Sequence, residues 1–308
     1  MNSKKFDEHD FKFIDLLERD KNLDKTKVGI LGIPYDGATR GRPGARFAPS
    51  EVRKRLYNYS TYCIDYEIDI SKITVKDFGD LDVHLDKLDL VKSRIEEHLK
   101  EIRKRADIWI LIGGDHSITQ PSFKALSEDM SEEIGLIVFD AHHDLRELSG
   151  GYISSGTVIW DLIESMGNKL KSHNIAQIGI RGFINSKYYV EKAKKLGILV
   201  YTAMDVKRFG MRKIIQDVLN NFEDEVKSIY VSFDVDSVDY IFAPGVNSPS
   251  VGGLTPYDVF EAMYLLGKNN KVFALDITEH APPYDVAGVT SDLASNAILY
   301  FLAGIVDR

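Results

Sequence analysis

The chain has 308 residues, a net charge of −8 and a hydrophobic fraction of 44%. A mildly acidic surface attracts neither nucleic acid nor an anionic membrane, so we expect neither as a partner. The only cysteine, Cys63, cannot form an intrachain disulfide, and we expect no apolar run of membrane-spanning length. These features predict a cytoplasmic globular protein.

Apolar and amphipathic segments alternate along the chain, which predicts strands that alternate with helices. The predicted strands are, in chain order, Val28–Ile33, Ile73–Phe78, Ile108–Ile112, Ile134–Asp140, Ile175–Ile180, Ile198–Thr202, Ile229–Asp234 and Val272–Ile277. The predicted helices are Ser50–Tyr59, Leu90–Arg105, Ser117–Ser127, Val158–Met166, Lys187–Leu196, Lys213–Phe222, Pro256–Lys268 and Ser291–Ile305. Most strand segments are continuous apolar runs, so we predict a mainly parallel α/β sheet with helices on both sides.

We expect residues 1–26, which are rich in charge, to form an N-terminal extension. No break in composition divides residues 27–308, and this predicts a single domain for the rest of the chain. In open α/β sheets, ligands bind beyond the carboxyl ends of the strands. Functional residues are therefore expected directly after the predicted strands.

Two groups of acidic and imidazole side chains follow predicted strands. Alternate residues of an extended segment share a face, so Asp140, His142 and Asp144 can point into one pocket. Asp234 and Asp236 have the same spacing after another apolar run. Single aspartates at such positions are also common as helix caps and turn formers, but four converging carboxylates without cations would repel one another. The two groups together predict a site for two cations.

His116 lies just past the predicted strand Ile108–Ile112 and is a sixth candidate ligand, although a lone histidine there is also typical of a core or cap residue. Carboxylate and imidazole ligands without a thiolate favour manganese over zinc. Two such ions would acidify a bridging water and give a hydroxide nucleophile near neutral pH. These residues therefore predict metal-assisted hydrolysis.

With these groups assembled, the chain resembles the ureohydrolase superfamily of arginases, agmatinases and formimidoylglutamases. The matching segments are Gly32–Asp36, Arg42–Phe47, GGDHS from Gly113, DAHHD from Asp140, SFDVDSVD from Ser232, APG from Ala243 with GGLT from Gly252, and Thr278–His280 with Asp285. The resemblance implies a three-layer α/β/α, arginase-like fold with an eight-stranded parallel sheet. It also implies a catalytic domain with two Mn²⁺ ions per subunit and a homo-oligomer, commonly a trimer or hexamer.

The resemblance further implies a role for each residue of the predicted metal site. Asp140 and Asp234 would bridge both ions. One ion would also bind His116 and Asp144, and the other His142 and Asp236. Asp144 would in addition hydrogen-bond and orient the bridging hydroxide. Glu279, at the end of the last predicted strand, would meet the cationic amidine or guanidine group of the substrate.

One departure from the family pattern follows the first metal motif. Arginases and agmatinases have a His-Gly-Thr element whose histidine is thought to shuttle protons, whereas this chain has Ser155 before Gly156 and Thr157. A serine hydroxyl does not titrate near neutrality, so proton transfer to the departing amine would run through Asp144 or water. The combination of DAHHDLR and SSGT is similar to formimidoylglutamases, which convert N-formimidoyl-L-glutamate to glutamate and formamide.

Substrate charge separates the alternatives. Formimidoylglutamate carries two carboxylates, and Arg146 lies beside Asp144 where it could bind one; Arg181 is another candidate, and both also suit surface ion pairs. The segment Arg42–Phe47 instead resembles agmatinases and guanidino-acid ureohydrolases, which makes hydrolysis of agmatine to putrescine and urea the alternative. The loss of the shuttle histidine at Ser155 leaves open a catalytically silent metal-binding paralogue. A single-zinc deacetylase of related fold is a further alternative.

Overall fold

The computed structural model describes residues 11–83, 87–147, 154–223 and 225–308, and it arranges them as strands alternating with helices. The strands are β1 (Thr26–Gly32), β2 (Tyr62–Cys63), β3 (Ile68–Asp69), β4 (Val75–Asp80), β5 (Ala106–Ile112), β6 (Ile134–Phe139), β7 (Ile175–Ile180), β8 (Leu199–Thr202), β9 (Ser228–Asp234) and β10 (Val272–Thr278). The helices are α1 (Phe13–Asp20), α2 (Ala48–Leu56), α3 (Leu88–Ile102), α4 (Thr119–Leu126), α5 (Val158–Met166), α6 (Lys187–Lys195), α7 (Ala203–Phe209), α8 (Met211–Asn221), α9 (Pro256–Lys268) and α10 (Val289–Val306).

Eight strands form one sheet in the order β4-β1-β5-β10-β9-β6-β7-β8, and every neighbouring pair is parallel. All eight predicted strands are in this sheet, so the predicted parallel α/β architecture is confirmed. A separate antiparallel pair, β2 and β3, was not predicted from the sequence. Each of its strands has only two residues, which is too short to show a hydrophobic period.

Both faces of the sheet are buried. In β5, Ile108, Ile110 and Ile112 pack into one hydrophobic cluster, and Trp109 and Leu111 pack into another on the opposite face. The first cluster includes residues of α1, α2 and α7–α10, and the second includes residues of α3–α6. Two helical layers therefore enclose the sheet, which explains why its strands are continuous apolar runs and confirms the three-layer fold.

Part of the expected N-terminal extension packs on the domain. Helix α1 buries Phe13 and Leu16 fully, and the buried Asp20 at its end accepts a hydrogen bond from the backbone nitrogen of Val75 in β4 at 2.8 Å. Residues 1–10 of that extension lie outside the described residues. The proposed boundary at residue 26 stays a prediction, but this helix is part of the same hydrophobic core.

Helix α10 corrects the expectation that no apolar run reaches membrane-spanning length. It has 18 residues and is apolar enough, by length and composition, to cross a membrane. However, 67% of that segment is buried inside the fold, where it packs against α9 and α2. The burial explains its composition, since a helix enclosed by its own domain is apolar on most sides.

The register of the four central strands brings the candidate functional residues together. Ile112 pairs with Ile277, Thr278 with Asp234, and Phe233 with Phe139. The carboxyl ends of β5, β10, β9 and β6 are therefore level with one another. Side chains that directly follow these strands meet above the middle of the sheet, where ligands bind in open α/β folds.

Candidate metal centre

The predicted ligands converge at this edge as two overlapping groups. His116, Asp140 and Asp144 form one group of potential metal ligands, and Asp140, His142 and Asp236 form the other. In each group, one nitrogen or oxygen atom from every residue lies within 4.8 Å of the others. Because Asp140 belongs to both groups, the arrangement suits two adjacent ions with a shared carboxylate.

The first group surrounds a single ring nitrogen. His116 Nδ1 lies 3.4 Å from Asp140 Oδ2, 3.3 Å from Asp144 Oδ2 and 3.3 Å from Asp234 Oδ2. None of these approaches has the geometry of a hydrogen bond, and both His116 Nδ1 and Asp140 Oδ2 are buried without a hydrogen-bond partner. Buried polar atoms are almost always paired, so this cluster is suited to a central cation that binds all four side chains.

The second group uses the other oxygen of the shared carboxylate. His142 Nδ1 lies 3.4 Å from Asp140 Oδ1 and 3.2 Å from Asp236 Oδ2. Asp234 Oδ2 faces the first group, and its Oδ1 accepts a hydrogen bond from the backbone nitrogen of Asp236 at 2.8 Å. Asp140 thus faces both histidines, and bridging of two ions by Asp140 and by Asp234 stays a prediction.

A chain of hydrogen bonds orients the His116 ring through Nε2, on the side opposite the carboxylates. Tyr230 and Ser232 both donate to the fully buried Asp276, at 2.8 and 2.6 Å, and Ser232 Oγ lies 3.0 Å from His116 Nε2. Since the hydroxyl proton of Ser232 is directed to Asp276, its oxygen accepts from Nε2–H. This leaves Nδ1 with a lone pair directed at the three carboxylates, as a metal-binding histidine requires.

The sequence reasoning missed this supporting chain. Tyr230 and Ser232 lie on the same face of β9 as Asp234, because side chains two apart in a strand share a face. That period of two was the available signal. It identifies residues that support a ligand as well as the ligand itself.

Two site residues have a left-handed backbone, with φ of 48° at Asp144 and 64° at Glu279. Such values are uncommon for residues other than glycine and are often found at functional sites. Glu279 is held by two hydrogen bonds: its nitrogen donates to Gly114 O at 2.9 Å, and its Oε1 accepts from the His116 nitrogen at 2.8 Å. Its Oε2 is buried without a hydrogen-bond partner and is available to a ligand.

The protein charges at this site favour a bound cation. Burial and the charge of Asp140 raise the pKa of Asp144 to about 6. Burial and the charges of Asp234 and Asp115 raise the pKa of Glu279 well above its usual value. These carboxylates repel one another in a dry environment, and divalent cations would relieve that repulsion. The donor set of carboxylates and imidazoles fits manganese.

The metal groups open into a pocket that also contains the other predicted site residues. It is lined by Arg40, His142, Asp144, Arg146, Ser155, Gly156, Asp234, Asp236, Ser248 and Glu279. The pocket thus brings Arg146, Ser155 and Glu279 together with metal-binding residues, and their roles in binding substrate stay predictions. Arg40 and Ser248 were missed, because neither belongs to a strand-end pattern of acidic or imidazole residues.

Two other residues considered from the sequence have structural contacts. Arg181 donates to the backbone oxygens of Asp236 at 2.6 Å and Ser237 at 2.8 Å, and to Ser250 Oγ at 2.7 Å. Its guanidinium thus holds the loop that carries a ligand, a role that differs from both alternatives considered from the sequence, carboxylate binding and a surface ion pair. His143 points away from the metal groups, with Nδ1 2.7 Å from Gln177 Oε1.

Comparison with known proteins assigns the family. The sequence model that describes the arginase family matches residues 26–304 of this chain. The chain belongs to the arginase family. A formimidoylglutamase of Halalkalibacterium halodurans is 36% identical over 90% of this chain and 86% of its own length. An agmatinase of Pyrococcus horikoshii is 33% identical over 91% of this chain and 92% of its own length.

The fold of this arginase-family chain is also found in solved structures. A variant of the Trypanosoma cruzi formiminoglutamase, solved with Mn²⁺, superposes with a TM-score of 0.88 at 25% identity, covering 97% of this chain and 99% of the other. The match confirms the eight-stranded fold, and metal-dependent hydrolysis of C–N bonds is the chemistry that the family and the acidic site have in common.

Proposed function

We propose that the protein is a manganese-dependent hydrolase that converts N-formimidoyl-L-glutamate to glutamate and formamide. One observation carries the proposal: a single pocket combines the metal-binding groups with the carboxylate of Glu279 and the guanidinium of Arg146. Glu279 suits the cationic amidine end of this substrate, and Arg146 suits a carboxylate at its other end. The 36% identical formimidoylglutamase supports the same substrate.

Six side chains would hold two Mn²⁺ ions in this proposal: His116, Asp140, His142, Asp144, Asp234 and Asp236. When bound, the two ions supply the Lewis acidity that makes a water molecule an effective nucleophile near neutral pH. The overlap of the two groups at Asp140 supports two ions rather than one. Metal analysis of the purified protein after manganese loading should therefore give two ions per chain, and one ion per chain would favour the deacetylase alternative.

The residues around the ions would guide the reaction. The carboxylate of Asp144 accepts a hydrogen bond from the attacking water and orients it toward the amidine carbon. Glu279 Oε2 faces the cationic amidine and holds that carbon in place. The bond between this carbon and the glutamate nitrogen then breaks, and the departing amine takes a proton. Ser155 lies in the pocket but cannot store this proton, so Asp144 or water delivers it.

A panel of substrates tests the proposal. The manganese-loaded protein is assayed with N-formimidoyl-L-glutamate, agmatine, arginine and 4-guanidinobutyrate, and we expect the first to be hydrolysed with the highest kcat/KM. Preference for agmatine would overturn the substrate assignment. Absence of turnover with all four, in protein that binds manganese, would favour the silent paralogue instead.

Agmatine hydrolysis is the second candidate, supported by the 33% identical agmatinase and by the segment Arg42–Phe47. The structure gives that segment structural contacts: Arg42 donates to Pro244 O, and Arg46 pairs with the buried Asp36. The ammonium end of agmatine would also meet Arg146, an unfavourable like-charge contact. We therefore favour the dicarboxylate substrate. The cytoplasmic location and the homo-oligomeric state stay predictions.

A further inference from the structure

A second arginine, Arg40, lies at the mouth of the metal pocket. Arg40 and Arg146 both line the pocket that contains Asp144 and Glu279. They also both line an adjoining cavity of about 240 Å³, which is open to solvent and includes Tyr189. The two guanidinium groups thus flank the route that connects solvent to the metal ligands.

The loop that carries Arg40 is anchored on both sides of the site. The nitrogen of Ala38 donates to Asp115 Oδ2 at 2.8 Å, and its oxygen accepts from the Ser155 nitrogen at 3.0 Å. Thr39 Oγ1 accepts from Asn247 at 2.7 Å. Three other segments therefore fix the backbone immediately before Arg40. A side chain on such a backbone can be pre-positioned for a ligand.

Gly156 makes room for both arginines. A Cβ atom at Gly156 would lie 2.1 Å from Arg146 Nη1 and 3.2 Å from Arg40 Cδ. The backbone at Gly156 also accepts a hydrogen bond from the Arg146 nitrogen at 3.3 Å. The glycine therefore lets the two side chains approach each other across the same backbone.

The two arginines lack anionic partners within the described part of the chain, and Arg146 Cζ lies 5.9 Å from the centre of the Tyr189 ring. Neither guanidinium forms an ion pair there, whereas Arg46 pairs with Asp36. The acid in the adjoining cavity, Glu147, pairs with Lys192 at 3.0 Å instead. Two guanidinium groups without ion pairs that line one pocket would repel each other, and anionic groups of a ligand would remove that repulsion.

We propose that Arg40 acts with Arg146 as a pair of carboxylate-binding residues, so that the substrate is a dicarboxylate with a cationic amidine at the far end. The inference rests on the proposed function and specifies how its substrate is recognised. Four aspartates balance two divalent ions, Glu279 balances the amidine, and the two arginines balance two carboxylates. A substrate ending in an ammonium group meets two positive charges here and is rejected.

Steady-state kinetics of Arg40→Met test this pair in the manganese-loaded protein. We expect KM for N-formimidoyl-L-glutamate to rise roughly 10- to 100-fold, which is the loss expected for hydrogen bonds to a charged group, with kcat little changed. Arg40→Lys should recover part of the loss, because it keeps the charge without the planar fork. N-butylformamidine has no carboxylate, so its KM should not rise.

Two further variants make the result specific. Arg94→Met removes an exposed arginine of α3 and should leave KM unchanged for both N-formimidoyl-L-glutamate and N-butylformamidine. Gly156→Ala displaces the guanidinium groups without removing a charge, and it should raise KM for the dicarboxylate as well. Binding of L-glutamate, measured by calorimetry, should weaken in Arg40→Met and remain the same in Arg94→Met.

The two levels of the proposal fail in different ways. If the unmodified protein does not hydrolyse N-formimidoyl-L-glutamate, the proposed function is wrong. If the unmodified protein is active but Arg40→Met keeps its KM and its glutamate affinity, the role of Arg40 is refuted while the function stands. An equal rise in KM for N-butylformamidine would also refute it, because such a change does not depend on carboxylates.

Discussion

Replacing Ser232 by alanine tests whether the hydrogen-bond chain behind His116 supports metal binding. The substitution removes the donor to Asp276 Oδ1 at 2.6 Å and the acceptor for His116 Nε2 at 3.0 Å. Both groups are fully buried, and an unpaired buried polar group destabilises a protein by about 1–3 kcal/mol. We therefore expect the free energy of unfolding of the metal-free protein to fall by roughly 2–6 kcal/mol. Affinity for manganese should fall about 10- to 100-fold, as with other partners of metal-binding histidines.

Urea unfolding of the metal-free protein gives the first quantity, and manganese titration by calorimetry gives the second. Ser295→Ala is a matched control, because Ser295 is equally buried but its hydroxyl donates to the backbone oxygens of Val52 and Ser291, away from the metal ligands. In this control the free energy of unfolding should fall by about 1 kcal/mol, and the affinity for manganese should stay the same. If Ser232→Ala bound manganese as tightly as the unmodified protein, the role assigned to the chain would be refuted.

Three other substitutions have defined outcomes. Asp144→Asn should lower kcat about 100-fold or more while manganese, measured by metal analysis, stays bound; near-normal kcat would contradict its role with the attacking water. Asp285 accepts from the backbone nitrogens of Thr290 and Ser291 at the start of α10, and these hydrogen bonds lower its pKa although burial alone would raise it. Asp285→Ala should therefore lower the free energy of unfolding, measured by heat or urea at neutral pH, by about 1 kcal/mol. The difference from the unmodified protein should shrink as the pH falls below about 4, where the carboxylate is protonated. A difference that does not depend on pH would show that the charged carboxylate is not its source. Arg181→Met should lower the free energy of unfolding by about 3 kcal/mol with KM unchanged, because the hydrogen bonds of Arg181 hold a loop. Unchanged stability with a raised KM would instead indicate that Arg181 binds substrate.

The sheet and the metal ligands could be predicted because their signals are local. A strand covered on both faces is a continuous apolar run, and a ligand pair at its end has a spacing of two, as at Asp140 and His142. Helix α1 was missed because its buried residues, such as Phe13, are separated by charged ones in a segment that looks solvated. Helix α7 was also not predicted, because its seven residues contain less than two full hydrophobic repeats.

The contacts of Arg181 and Arg40 could not be predicted, because they depend on what lies nearby in space. Arg181 follows a strand just as the ligands do, yet its partners are backbone oxygens of a loop more than 50 residues further along the chain. Arg40 lies in a loop without hydrophobic periodicity, and in the pocket it packs closely beside Gly156 from a distant segment. A sequence reveals the charge of such residues but not which charges remain unpaired after folding.

The position of β10 has a consequence for synthesis of the protein. This strand is the last of the ten among the described residues, but it lies in the middle of the sheet, between β5 and β9. A ribosome must therefore synthesise the chain through Thr278, the end of β10, before the two halves of the sheet can join. Until then, each half exposes an apolar strand edge, and such edges invite aggregation. Truncation before Val272, which removes β10, should consequently leave two unconnected half-sheets rather than a slightly smaller enzyme.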